Sequence, residues 1–265
     1  MWGGESVRLA YLVPAPISLS MGAAEVRNRE KFLREVASSH VTVDLVEAGE
    51  GPASIESALE EYLSVAGAAL AVERLEAAGY DGALLGCAGD PGLDALREVA
   101  EQMVIAGPGE ASFLMAASLG RRFTVLAPTQ STVGPTYDQV ARTGIATKLA
   151  SVRSVDIPVL EIRADRAATL KQVEKAGRKA LEQDGADVLV LGCMSLAFLA
   201  VDRELSDNLG VPVVNPVVAG LKYLEALVAA GLRPSKLAYP RPPKLTGGKG
   251  VSSLRLVAQG GTNNE

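Results

Sequence analysis

Short apolar runs alternate with longer amphipathic stretches along most of the chain. The runs at 7–13, 41–46, 82–86, 103–106, 122–126, 187–191 and 211–214 predict buried strands. Brief continuous apolar segments bounded by turn residues suit a sheet covered on both faces. A further strand is expected over 152–160, interrupted by Pro158. The stretches 23–37, 55–78, 91–102, 109–119, 132–142, 166–183, 198–208 and 217–230 carry the apolar spacing of helices. Ser54 is expected to cap the second of these. Asp90, with Pro91 in the first helical position, is expected to cap the third. Residues 47–54 form a Gly/Pro loop, and the Gly/Pro/Lys-rich tail from Pro240 to Glu265 reads as a surface extension.

Strands that alternate with helices predict an α/β fold with parallel sheets, whose ligands sit at the carboxyl ends of the strands. The pattern also repeats. Gly79-Tyr80-Asp81 leads through an apolar run to Gly86-Cys87, and Gly185-Ala186-Asp187 leads through another to Gly192-Cys193. Asp precedes Cys by six residues in each copy. Two similar lobes follow, each a parallel sheet covered by helices, with the active site in the cleft between them. The first is assigned 1–117 plus 218–265, because the final helix is expected to cross back, and the second 118–217.

Composition narrows the function. The 265 residues are 48% hydrophobic and 22% charged, as in an ordinary globular chain. Lys and Arg number 26 against 31 Asp and Glu, and aromatics are only 4%, so neither a basic stripe nor a stacking platform for nucleic acid is expected. Two cysteines and one histidine are too few for a structural zinc site. No signal peptide is expected at residues 1–5, and no uncharged apolar run reaches the roughly 18 residues of a membrane span. A cytoplasmic protein with reduced thiols is the expectation.

Cys87 and Cys193 then stand out, because each ends a strand beside glycine and just ahead of a helix. A helix N-terminus favours thiolate. A buried structural cysteine is the other reading of either alone. Two thiols facing each other across a cleft suit proton transfer at a carbon next to a carbonyl, one thiolate removing the proton and one thiol returning it on the other face. Gly51-Pro52-Ala53-Ser54-Ile55-Glu56 is either an anion-binding turn or a simple helix start. Gly107-Pro108-Gly109 lacks the third glycine of a dinucleotide fingerprint and reads as a turn with a capping role. Thr129, Ser131 and Thr132 either orient a polar substrate or are solvated loop hydroxyls. His40 reads as a strand-edge residue without triad partners. The charges within 25–35 and 163–179 read as solvated helix faces, and no arginine is expected in the cleft.

The stretches Gly51-Pro52-Ala53-Ser54-Ile55-Glu56 and Gly86-Cys87-Ala88-Gly89-Asp90-Pro91-Gly92-Leu93 add a resemblance. With them go Gly109-Glu110-Ala111-Ser112, Leu119-Gly120-Arg121-Arg122-Phe123, Leu191-Gly192-Cys193, Gly210-Val211-Pro212-Val213, Pro216 and Gly231-Leu232-Arg233-Pro234-Ser235-Lys236. In this order the chain resembles the aspartate/glutamate/hydantoin racemase superfamily, most of all its hydantoin (allantoin) racemase branch. The resemblance implies cofactor-independent racemisation by Cys87 and Cys193, without metal, and a homo-oligomer. It implies that backbone amides near Gly89, Met194 and Ser195 and the 51–54 loop hold a small-molecule substrate. Pro14, Ser54, Ala88, Thr129 and Pro216 complete the expected substrate-binding set.

Two positions depart from the family pattern. Val13-Pro14-Ala15-Pro16-Ile17-Ser18 replaces an Asn-Pro-Asn-Thr type segment, although Ser18 and Ser20 lie near, and Met194-Ser195 replaces smaller residues after the second cysteine. Related scaffolds also carry maleate isomerases and one-cysteine arylmalonate decarboxylases. Maleate-type isomerisation and non-catalytic small-molecule binding stay open as alternatives.

Overall fold

The computed structural model describes residues 6–245, 247 and 249–254. The leader reading at residues 1–5 and the last part of the tail reading, 255–265, lie outside them. The first sheet contains β1 (Val7–Val13), β2 (Val41–Glu47), β3 (Gly82–Leu85) and β4 (Val104–Ala106) in the order β2-β1-β3-β4. The second contains β5 (Phe123–Ala127), β6 (Leu149–Ser154), β7 (Val188–Leu191) and β8 (Val213–Val214) in the order β6-β5-β7-β8. Every pairing is parallel, and the two sheets have the same topology. The helices are α1 (Ile17–Ser20), α2 (Ala23–Val36), α3 (Ala58–Ala77), α4 (Leu93–Val99), α5 (Pro108–Leu119), α6 (Val133–Arg142), α7 (Arg166–Asp184), α8 (Met194–Ala197), α9 (Asp202–Leu209) and α10 (Pro216–Ala229).

The repeated Asp and Gly have repeated jobs. Asp81 accepts the Arg8 N–H at the start of β1 at 2.8 Å, and Asp187 accepts the Arg121 and Arg122 N–H groups just before β5 at 2.9 Å. At the other end, the Gly86 N–H donates to Leu12 O at 2.7 Å and the Gly192 N–H to Leu126 O at 2.8 Å. A Cβ on Gly86 would lie 2.9 Å from Leu12 O, and one on Gly192 2.8 Å from Leu126 O. Only glycine permits this approach, and it brings each following cysteine over the central strand of its sheet.

The lobes also exchange helices. Helix α5 follows the first sheet but packs on β5, β7 and β8, whereas α10 follows the second sheet and packs on β3 and β4. The two helices cross each other. At their contact a Cβ on Gly220 would come within 3.1 Å of the Pro108 backbone. Met194, Ala197 and Phe198 enter the core built from Leu9, Tyr11, Leu33 and Leu84, so the second lobe reaches into the first.

Several expectations are corrected by local chemistry. The strand expected over 152–160 is β6, which ends before Asp156 at φ 54°, and Val159 instead turns its N–H to Glu56. Ser57, not Ser54, caps α3 by accepting the Glu60 N–H at 3.3 Å. The helix expected over 198–208 begins only at Asp202, as α9, because Ala200 takes a φ of 51° in the turn that follows α8. The tail does not simply extend over the surface. Leu245 is buried in the first lobe's core, and Glu73 accepts the Val251 N–H.

Asp90 caps a different helix from the one expected. Helix α4 starts at Leu93, after Gly92, and Asp90 takes a positive φ of 51°. Its carboxylate reaches α5, accepting the Gly109 and Glu110 N–H groups at 3.0 and 2.7 Å and an amide N–H of Gln139 at 2.9 Å. Burial raises this carboxyl to about 7, against the pull of the Glu110 and Gly109 amides and of Gln139.

Two outcomes follow from these contacts. Gly86→Ala and Gly192→Ala should each lower stability by about 1–3 kcal/mol in chemical denaturation, because backbone must move. Gly134→Ala, with nothing within 4 Å of its Cβ, should cost nothing. For Asp90, the folded chain binds a proton between the ordinary carboxylate value of about 4 and about 7, so stability rises as pH falls through that window. Thermal unfolding of wild type and Asp90→Asn should therefore shift in favour of wild type between pH about 8 and about 5. Parallel pH curves would show that Asp90 titrates ordinarily.

Candidate active site

The carboxyl ends of the two sheets face one cavity of about 230 Å³. Cys87 enters it from the loop after β3 and Cys193 from the loop after β7. Pro14, Ser54, Ala88, Gly89, Met194, Ser195 and Pro216 line the same cavity. Thr129 does not. Its hydroxyl pairs with Ser131, and Pro128, Thr132 and Thr136 take the wall instead. Ser18 is held by Glu47 through both its N–H and its hydroxyl.

The thiols differ from the expectation of easy ionisation. Five residues separate Cys87 from the start of α4, so Cys87 does not stand at the N-terminus of the helix that follows it. Burial pushes its thiol up, the Gly89 N–H pulls it down, and the charges of Cys193, Glu61 and Asp90 push it further up. Cys193 does cap a helix, the single turn α8. Burial raises it too, opposed by the Leu196 and Ser195 N–H groups and by Arg29. Desolvation outweighs the amides at both positions. Tyr11, buried beneath the cavity, is pushed up by burial and lies within electrostatic reach of both thiols.

The residues that sequence reasoning missed are charged. Arg29 is 2% exposed and lines the cavity. Its guanidinium bonds Glu25 at 2.8 Å and the Ser195 hydroxyl at 3.1 Å, and lies 4.8 Å from the Phe198 ring centroid. Glu25 is buried as well and also pairs with Arg163 at 2.8 Å. These charges belong to the stretches read as solvated faces, and the cleft read as lacking arginine holds Arg29 and Arg142. The available signal was register. Glu25, Arg29 and Leu33 fall four residues apart, and all three form the buried face of α2. Glu61, raised by burial and opposed by Arg142, lines the other side near Gly89.

Among the described residues no group of three His, Cys, Asp or Glu side chains is placed to hold a metal ion. No helix among them is long and apolar enough to cross a membrane. The cavity therefore offers two thiols, a ring of backbone amides and separated charges.

A family model described as Asp/Glu/Hydantoin racemase matches residues 18–224. A hydantoin racemase of Pseudomonas sp. (strain NS671) is 35% identical over 222 residues, covering 83% of this chain and 88% of that protein. A hydantoin racemase of Rhizobium meliloti is 36% identical over 217 residues, covering 81% and 89%. The structure of allantoin racemase from Klebsiella pneumoniae superposes with a TM-score of 0.81 at 30% identity, covering 92% of this chain and 97% of that one. Matching topology, ordered motifs and coverage through both lobes lead to one assignment: the chain belongs to the Asp/Glu/hydantoin racemase family, in its hydantoin racemase branch.

Proposed function

We propose that this protein is a cofactor-independent racemase that inverts the carbon beside a carbonyl in a hydantoin-like ring, with Cys87 and Cys193 as base and acid. The observation that carries this reading is the meeting of two thiols, from equivalent strand ends, in one cavity. One thiolate takes the ring C–H proton, and the electron pair moves onto the carbonyl oxygen. The opposing thiol gives its proton to the other face of the same carbon, and the thiol and thiolate exchange places. No electrons leave the substrate, so no redox partner is required. Gly89 and Ser195 line the cavity, and their N–H groups, which act on the Cys87 and Cys193 sulfurs, lie next to the position where enolate oxygen charge would develop.

The ring preference rests on C–H acidity. A charged α-carboxylate opposes further negative charge on the neighbouring carbon, whereas a cyclic amide carbonyl accepts it. Arg29 removes the separate argument that no cation could anchor an acidic amino acid, so such substrates stay in the comparison. Maleate isomerisation is the other reading that keeps both thiols.

Proton NMR in D₂O with single enantiomers of allantoin, 5-substituted hydantoins, aspartate and glutamate should show loss of the α-proton for the ring substrates first. Cys87→Ser and Cys193→Ser should each lower racemisation by about 10²–10⁴-fold, the range for losing a general acid or base. Conversion of maleate to fumarate would move the chain to the isomerase reading. An inert panel with both thiols unreactive toward alkylation would overturn enzyme catalysis by this pair.

A further inference from the structure

The two cysteines occupy equivalent places in the fold but sit among charges of opposite sign. On the Cys193 side stands Arg29, whose Nη2 donates to the hydroxyl of Ser195, two residues further along. Arg29 is buried behind the cavity wall, so its charge is poorly screened. It is incompletely neutralised as well. Glu25 serves both Arg29 and Arg163, so two guanidinium groups share one carboxylate. Arg163 is one-third exposed, and water screens it. On the Cys87 side stand carboxyls. A Glu61 carboxylate oxygen and the Cys87 sulfur lie 3.0 and 3.8 Å from the position of a Cβ on Gly89. Asp90 is buried three residues beyond Cys87.

We propose that Arg29 is a positioning residue that makes the pair unequal, so that Cys193 ionises ahead of Cys87 and serves as the thiolate base while Cys87 keeps its proton. This rests on the two-thiol reading above and adds the identity of the base. A cation beside a cysteine favours its thiolate, and a neighbouring carboxylate opposes it.

Cys193 faces Arg29 from α2, Glu56 from the loop before α3, Tyr11 from β1, Cys87 across the cavity, and the Ser195 and Leu196 N–H groups. Glu56 opposes ionisation, but its carboxylate accepts the Val159 N–H at 2.9 Å and the Ser54 hydroxyl at 3.0 Å, which spreads its charge. Cys87 faces Glu61 from α3, Asp90 from its own loop, Cys193 and the Gly89 N–H. Arg142 from α6 lies within electrostatic reach of Glu61 and opposes its shift. Arg29 is thus the cation that acts on a thiol, and it acts on Cys193.

The consequence for turnover is directional. The protein removes a proton with Cys193 and returns one from Cys87. After inversion the proton sits on Cys193 and the negative charge on Cys87, beside Glu61 and Asp90. Recovery requires Cys87 to take up a proton and Cys193 to lose one, and the neighbouring charges drive both steps.

Alkylation of the intact protein by iodoacetamide across pH, with each cysteine quantified by peptide mass spectrometry, tests this without substrate. In wild type the Cys193 profile should have the lower midpoint. Arg29→Gln should raise the Cys193 midpoint by about one pH unit, a roughly tenfold loss of thiolate near neutrality, and leave the Cys87 midpoint in place. Arg29→Lys should restore most of the difference. Should Arg29→Gln fail to fold because Glu25 is left buried, the double variant Glu25→Gln with Arg29→Gln removes both charges and should give the same displacement. The proposal is overturned if Cys87 has the lower midpoint. It is also overturned if removing Arg29 leaves the Cys193 profile unmoved while raising KM only for substrates bearing a carboxylate, which would make Arg29 a substrate anchor. Alkylation in the wrong order with α-proton exchange intact defeats this inference alone. The expected order with no exchange on any substrate defeats the racemase reading instead.

Discussion

A hydrogen bond repeated in both lobes fixes the geometry on which the site depends. Gly86 and Gly192 each donate to the carbonyl of the residue that ends the central strand's pairing, Leu12 and Leu126. Each bond extends the sheet by one position past its last paired residue and then releases the chain over the strand ends. The cysteine is therefore the first side chain free of the sheet. Because the topology is the same in both halves, the same release happens twice, and the two thiols arrive at one cavity from opposite walls. The helix exchange holds the walls together. Helix α5 lies on the sheet it does not follow, and so does α10, so neither lobe can rotate away without breaking the core of the other.

Much of this was legible in the chain because it is periodic or repeated. Seven of the strands announce themselves as apolar runs, and the Asp-to-Cys spacing exposes the duplication. What the pattern hid was determined by single backbone conformations and by long-range pairing. Asp156 and Ala200 take positive φ, which no apolar period encodes; the strand stops short before the first, and the helix starts late after the second. Asp90 carries every local sign of a cap for the helix that follows it. Its carboxylate serves α5 instead, because the turn at Asp90 and Gly92 aims it there. Leu245 packs under the first lobe although its neighbours are Gly, Pro and Lys, since one apolar side chain in a polar segment has no period to read.

The cavity was legible in its cysteines and most of its lining residues and illegible in its charges. Cys87 and Cys193 are the chain's two cysteines, and their settings match. Arg29 sits among Arg27, Glu30, Lys31 and Arg34, which are solvated or half-solvated, and composition alone cannot separate it from them. Only the partner does. Phe198 and Ser195 come from the other lobe, and the duplication that places α8 against α2 is what buries Glu25 and Arg29. An ion pair that looks like a local helix pair is therefore a contact between lobes at the edge of the cavity.

In the proposed mechanism the raised proton affinity of both thiols has a chemical use that easy ionisation would lack. A carbon acid holds its proton more tightly than an ordinary thiol does, so a thiolate made comfortable by many donors would be a weak base toward it. Burial makes each thiolate scarcer and more basic, which narrows the gap to the carbon. The opposing requirement is that some thiolate exist before substrate arrives. Strong donors at both sulfurs would satisfy that requirement and forfeit basicity at both. A single buried cation beside one sulfur, with carboxyls beside the other, answers the two requirements separately. On the proposed two-thiol mechanism, one cysteine is favoured as base and the other keeps its proton ready to give. The symmetry of the fold supplies two equivalent thiols, and the departure from symmetry in the side chains around them gives the pair a starting state.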